Sequence, residues 1–335
     1  MKKIKIAING FGRIGRAAFR IISDRDDCEV VAINDLTDNK TLAHLLQYDS
    51  VFRKYDKEVT FDNENIIVDG KKYFATAEPK PVKLPWGERD VDVVLECTGF
   101  FVKDGSAYGH IDAGAKRVVL SAPAKGEGDV DTHVLGVSEP TEESTHVISN
   151  ASCTTNCIAP VMKVMDETFG VEKSLMTTIH SYTSTQKLQD GPDKDMRKSR
   201  AAAQNIIPTT TGAAIAATLV LPQLKGKFDG MAMRVPTIDA SISDITVVTQ
   251  KNVTEKEVND VFIAAASGEL KGILGVTDDM LVSSDFIGDN RSTVVDMPLT
   301  KVVGGNLVKV VAWYDNEWGY ANRLVDMAVR HGNMI

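Results

Sequence analysis

Cysteine is scarce in this chain, with Cys28, Cys97, Cys153 and Cys157 the four thiols among 335 residues. So few cannot build a disulfide scaffold, which points to a reducing, cytoplasmic compartment. Basic excess is missing as well: 38 Lys and Arg stand against 46 Asp and Glu, for a net charge of −8 and a pI near 5.4. That argues against a general nucleic-acid binder, which carries a basic footprint. No apolar run approaches the roughly 18 residues of a membrane span, so no membrane contact is expected. The start, MKKIKIAINGFG, has the lysines of a signal peptide, but glycines and arginines interrupt an apolar stretch that is already too short. There is no internal repeat, low-complexity tract or Pro-rich linker.

What is present fits an ordinary globular protein, 43% hydrophobic and 25% charged, whose length exceeds one hydrophobic core and predicts two domains. KKIKIAIN (2–9) turns continuously apolar, as a parallel strand buried on both faces does. RAAFRIISD continues with helical spacing, and EVVAIND (29–35) completes a βαβ unit. Short apolar runs at 91–97 and 117–121 extend the alternation. The first part therefore reads as a Rossmann-type, doubly wound parallel sheet. After residue 150, stretches such as SISDITVVTQ and NLVKVVAWYD alternate and are rich in Thr, Val and aromatics. These predict an α+β domain with a mixed or antiparallel sheet. Residues 254–268 read as a helix opened by a Thr254–Glu257 capping box, and 320–332 as a final amphipathic helix.

Between the first strand and helix lies Gly10-Phe11-Gly12-Arg13-Ile14-Gly15, a dinucleotide-binding fingerprint. Its glycines serve the tight turn, the close approach of backbone to a pyrophosphate, and helix–strand packing. Asp35 ends the next strand, 20 residues after Gly15, where a carboxylate accepts from an adenosine ribose and repels a 2′-phosphate. NAD is thus the expected cofactor. The plainer role for Asp35 is to cap the following turn.

NASCTTNC (150–157) places two cysteines four apart. A disulfide between them is geometrically poor on one helix. Zinc needs two further ligands, and His146 and His180 are the nearby candidates, so no metal is expected. The remaining reading is a nucleophile, Cys153, in a helix first turn whose free N–H groups lower the thiol pKa, with Cys157 a packed neighbour. His180, ending an apolar strand, is the candidate base; its alternative is a satisfied core histidine. Arg234 interrupts an apolar strand, where a substrate phosphate or a buried carboxylate would each explain a cation. PTTTG (208–212) offers an anion site or, equally, a helix cap.

Taken together, NGFGRIGR, INDL, ECTG, SAPAKG, SNASCTTNC, HSYTSTQ, RAAAQNIIPTTTG, RVPT and WYDNEWGY, in that order, resemble phosphorylating glyceraldehyde-3-phosphate dehydrogenases nearly end to end. The resemblance implies that Cys153 attacks the aldehyde of glyceraldehyde 3-phosphate, that His180 is its base, and that a thioester is released by inorganic phosphate as 1,3-bisphosphoglycerate. It implies NAD contacts at Arg13, Ile14, Asp35, Thr98, Ser121 and Asn316. It implies two anion sites built from Ser152, Thr154, Thr183, Arg197, Thr211, Gly212 and Arg234, with Arg200 an alternative to Arg197. It further implies a homotetramer, an NAD-binding domain of residues 1–151 and 318–335, and a catalytic domain of 152–317. Three segments depart from the frequent pattern: Pro79, Ile215 in GAAIAA, and TIDASISDIT (237–246). An erythrose-4-phosphate dehydrogenase would share Cys153 and His180. A non-catalytic NAD-binding sensor would keep the fold with an ordinary thiol at 153.

Overall fold

The computed structural model describes residues 3–335. Two compact units emerge: one of residues up to His133 with Glu139–Ala151 and Ala321–Ile335, the other of Val134–Ser138 with Ser152–Tyr320. Two boundaries differ from those expected. Val134–Ser138 groups with the second unit, where Lys163 Nζ donates to the Gly136 carbonyl at 3.0 Å. The division in the last helix, Trp318–Gly332, follows Tyr320 rather than residue 317.

The first unit is a nine-stranded sheet. Its centre is Ile4–Asn9, parallel to Cys28–Asn34 on one side and to Val93–Glu96 on the other. Ile6, Ala7 and Ile8 are fully buried, which explains an apolar run with no alternation. From Val93–Glu96 the sheet continues in parallel through Arg117–Leu120, Val147–Ser149 and Asp131–Thr132. On the far side, Lys71–Thr76 pairs in parallel with Cys28–Asn34, and a short antiparallel meander of Asn65–Val68 and Val59–Phe61 closes the edge. That meander was not legible in the sequence, since VTF and NIIV are too short to show a period. The order in which strands are added reverses at Ile4–Asn9, with Cys28–Asn34 on one side and Val93–Glu96 on the other, so the loop that follows this strand lies at the switch point of the sheet.

The second unit is an eight-stranded mixed sheet. Val171–Ser181 runs parallel to Phe228–Val235 and antiparallel to Ser241–Thr249, which in turn pairs antiparallel with Leu307–Tyr314. Residues of Ser241–Thr249 alternate strictly between buried and half-buried, the period of two that its sequence shows. The helix Cys153–Phe169 lies on this sheet, with Cys157 Sγ 3.4 Å from Thr293 Oγ1 and near Ser243 and the Ala312 carbonyl. The register that matters most places His180 directly beside Arg234. Glu255–Ser267 begins with the Thr254–Glu257 capping box, each side chain bonding the other's backbone N–H.

Candidate functional site

In the first unit the glycine loop shows three different constraints. Gly10 has φ +93°, and a Cβ there would sit 2.7 Å from the Thr98 amide nitrogen. A Cβ on Gly15 would lie 2.1 Å from the Gly10 carbonyl oxygen, so any side chain would force the helix Arg13–Ser23 off its turn. Gly12, by contrast, faces open space, and no side chain caps the helix it begins. A bare helix N-terminus with a glycine facing outward is the cradle that a pyrophosphate requires.

A cavity of about 580 Å³ opens there, lined by Gly10, Gly12, Asp35, Thr98, Pro79 and Pro81 among others. Its size and the open Gly12 fit a dinucleotide. Asp35 is committed to the loop itself: Oδ2 accepts from the Phe11 amide at 2.7 Å and Oδ1 from the Thr37 amide at 2.9 Å. Both the turn-capping role and the position on the cavity are therefore present, and each oxygen keeps a second lone pair for a ribose hydroxyl. Arg13 turns its guanidinium to Asp49 and over the Phe52 ring. Ile14 lies in the first turn of the same helix. Thr98 and Ser121 follow the ends of neighbouring strands.

Beneath this loop lies a polar cluster that motif reading missed. Glu96 is fully buried. Its Oε2 accepts from Asn9 Nδ2 and His110 Nε2, and its Oε1 from both the amide and hydroxyl of Thr98. Trp86 Nε1 donates to His110 Nδ1 at 2.9 Å, which fixes the proton of that imidazole on Nε2. ECTG pointed at this segment, but nothing in the sequence pairs Glu96 with residues 9, 86 and 110.

In the second unit Ser152 is the N-cap of the helix Cys153–Phe169, its Oγ accepting from the Thr155 amide at 3.1 Å. Ala151, just before it, is held at φ +52°, a conformation unusual for a residue with a Cβ and one that throws Cys153 onto the first helical position. Cys153 Sγ then stands 3.5 Å from His180 Nε2. His180 Nδ1 is 2.6 Å from Arg234 Nη1 and 2.7 Å from the Ser181 carbonyl, to which Arg234 Nη1 also donates at 3.0 Å. The Ser181 carbonyl only accepts and the guanidinium only donates, so Nδ1 can serve one of them at a time. With its proton on Nδ1 the imidazole donates to Ser181 and Nε2 turns its lone pair to the sulfur, the tautomer that a base requires.

Electrostatics here differ from the expectation of a lowered thiol. Burial pushes the Cys153 thiol up, and the Arg234 charge with the Thr154 and Cys153 amides opposes this only in part. Burial, and then the neighbouring guanidinium, push His180 down to about 3, so its imidazole is neutral at physiological pH. Cys157, wholly buried, is pushed up to about 12, chiefly by burial, and is chemically quiet. The two cysteines are one candidate nucleophile and one packing residue, as their spacing suggested.

The predicted anion residues are dispersed among several elements. Thr154 turns its hydroxyl inward, 2.9 Å from the Tyr314 hydroxyl. Thr211 Oγ1 accepts from the Ala213 amide, and Gly212 precedes the helix Ala213–Val220 with no side-chain cap. Thr183 Oγ1 meets Thr185 Oγ1 at 3.0 Å. Arg200 is paired with Asp190 at 2.7 Å, while Arg197 is exposed and its side chain bonds no described residue. Asn316 Oδ1 accepts from Ser241 Oγ at 2.6 Å, which leaves its amide N–H2 as the donor. Tyr314, within WYDNEWGY, carries no sequence signal of a role. Its buried hydroxyl joins Thr154 to Thr178, and its ring stands edge-on to His180 at 5.9 Å.

Comparison with known proteins matches residues 4–104 to the family described as glyceraldehyde 3-phosphate dehydrogenase, NAD binding domain, and residues 152–316 to its C-terminal domain. The chain belongs to the glyceraldehyde-3-phosphate dehydrogenase family. It is 53% identical over 335 residues to glyceraldehyde-3-phosphate dehydrogenase 2 of Streptomyces avermitilis, covering 99% of both chains. It is 54% identical over 327 residues to glyceraldehyde-3-phosphate dehydrogenase of Geobacillus stearothermophilus, and 53% identical over 327 residues to glyceraldehyde-3-phosphate dehydrogenase 1 of Bacillus subtilis, covering 97% of both chains in each case.

Proposed function

We propose that this chain is an NAD-dependent, phosphorylating dehydrogenase that converts D-glyceraldehyde 3-phosphate to 1,3-bisphosphoglycerate through a thioester on Cys153. The observation that carries the reading is Cys153 at the start of a helix, 3.5 Å from a neutral His180 that stands in register with Arg234. The first unit, with Gly10, Gly12, Arg13, Ile14, Gly15, Asp35, Thr98 and Ser121, is the NAD-binding domain of this reading. The second carries the chemistry, with Asn316 offering its amide to the carboxamide of the cofactor. NAD, when bound, supplies the hydride acceptor.

The chain's own residues supply the rest. Sulfur attacks the aldehyde carbon while its proton passes to the oxygen that becomes the hemithioacetal hydroxyl, with His180 as the relay. A neutral imidazole then removes that hydroxyl proton as the thioester forms. Arg234 lowers the basicity of His180, so a substrate anion that neutralises its guanidinium makes His180 a better base at the moment substrate arrives. Phosphate attack on the thioester carbonyl releases the acyl phosphate and returns Cys153. Ser152, Thr154, Thr183, Thr211, Gly212 and Arg234 belong to the anion sites. Arg197 joins them in preference to Arg200, which Asp190 already holds.

The reading extends to a cytoplasmic homotetramer. Four free thiols support a reducing compartment. Leu175, Ile215 and Leu307 are exposed along one groove of the second unit, an apolar surface suited to contact between copies. The test is NADH absorbance with purified protein, NAD and glyceraldehyde 3-phosphate, with and without inorganic phosphate. Sustained, phosphate-dependent turnover that Cys153→Ser abolishes is expected. Turnover with erythrose 4-phosphate alone would move the substrate assignment, and no NADH with either sugar would reject the enzymatic reading.

A further inference from the structure

Asp239 is only 2% exposed, yet it meets other carboxylates rather than a cation. Its Oδ1 accepts from the Ala240 amide at 2.8 Å, and its Oδ2 has no donor among the described residues. The neighbouring carboxyl that acts on it most is that of Asp315. Asp315 is itself surrounded by donors: Oδ2 accepts from the Gly288 amide, and Oδ1 from the Glu317 and Trp318 amides. Burial raises the Asp315 carboxyl as well, but three N–H groups oppose this there, whereas one does so on Asp239. Two carboxyls in contact cannot both ionise in a buried site, and a shared proton turns their repulsion into a hydrogen bond.

We propose that Asp239 is a positioning residue that works as a neutral acid, its proton donated to Asp315 to hold the loop 237–241 against His180 and Asn316. The inference rests on the catalytic reading only for the roles of those two residues. The loop reaches both. Ser181 Oγ donates to the Ala240 carbonyl at 2.9 Å, and the Ser181 carbonyl is the one facing His180 Nδ1. Ser241 Oγ accepts from the Ser181 amide and donates to Asn316 Oδ1. Ala240 is held at φ +62°, a conformation that needs such anchoring in a residue with a Cβ.

The charges that reach Asp239 are those of Asp315 and Glu317, both negative, and with burial they push it up to about 9. From the adjoining loop Arg291 is taken by Asp289, and from the strands His180 and Arg234 are engaged with each other. No described cation therefore offsets the pair. Above about pH 9 the proton leaves, two anions face one another, and the loop loses this attachment and keeps those through Ser181.

The experiment compares wild type with Asp239→Asn, whose amide donates to Asp315 without a titrating proton. Infrared difference spectra between the two at neutral pH are expected to show the carbonyl stretch of a protonated carboxyl in the wild type, lost as pH rises through about 9. The wild-type kcat is expected to fall several-fold across the same interval, while Asp239→Asn keeps a flat alkaline limb. The absence of the carboxyl band, or the same alkaline fall in both proteins, overturns the proposal. The wild-type titration of the band decides it even where the variant does not fold. Absence of turnover at neutral pH with the band present would reject the enzymatic reading and leave the protonated pair standing.

Discussion

Replacing Glu96 by Gln changes one atom in the first unit and removes a hydrogen-bond arrangement that has no alternative. Four donors converge on the two oxygens: Asn9 Nδ2 and His110 Nε2 on one, the amide and hydroxyl of Thr98 on the other. An amide nitrogen in place of Oε1 faces the Thr98 N–H, which cannot rotate away. In place of Oε2 it faces His110 Nε2–H, and moving that proton to Nδ1 would set it against the Trp86 N–H. Asn9 cannot compensate by flipping, because its Oδ1 already accepts from Asn34 Nδ2 at 2.7 Å. At least one bond to a charged acceptor is lost and one buried donor left unpaired, together about 3 kcal/mol. Removing a buried carboxylate offsets part of this, but breaking a satisfied buried network remains the larger effect. Urea unfolding followed by tryptophan fluorescence, with Trp86 inside the cluster, should show the loss. NAD affinity should weaken with it, since Thr98 abuts Gly10. A variant as stable as wild type, with unchanged NAD binding, would refute the reasoning.

Other outcomes follow from burial. Iodoacetamide at neutral pH should modify Cys153, which is half-buried beside His180, and spare the enclosed Cys157; equal labelling by peptide mass spectrometry would contradict the assignment. Cys157→Ala should keep turnover and cost about 1 kcal/mol of stability. Acid should destabilise the fold well above the carboxylate range. Burial holds His180 down to about 3 and His331 down to about 4, so the unfolded chain binds protons that the folded one refuses. Stability from these groups is complete above about pH 6.5 and falls as pH drops through that value, by about 2 kcal/mol each at pH 5. His331→Gln should flatten the acid limb of a urea midpoint against pH, and an unchanged limb would count against burial as the cause.

What the sequence made legible was whatever is encoded locally. Gly10, Gly12 and Gly15 are spaced by the geometry of one turn, and each glycine proves to have its own reason: a close amide, an open face, a carbonyl in the way. Cys153 in a first turn follows from small polar residues before an apolar run, and Thr254 with Glu257 from a cap that spans one helical turn. Arg234 was the informative anomaly, a cation in an apolar strand, but its partner is set by strand register, which brings residue 180 beside it across 54 positions. Acidity at Cys153 was misjudged for a related reason: the helix N-terminus is visible in sequence, whereas the burial that outweighs it depends on everything packed above.

The same limit explains Asp239 and Glu96. In sequence each is one acidic residue among 46, Glu96 at a strand end and Asp239 in a loop, where solvent exposure is the ordinary case. Only tertiary contact tells them apart. Glu96 meets four donors, whereas Asp239 meets one donor and two carboxylates. One surrounding is built for an anion and the other for an acid. Exchanging each for its amide should therefore have opposite consequences: Glu96→Gln breaks a network that needs four acceptor positions, and Asp239→Asn supplies permanently the donor that the wild type holds only while protonated.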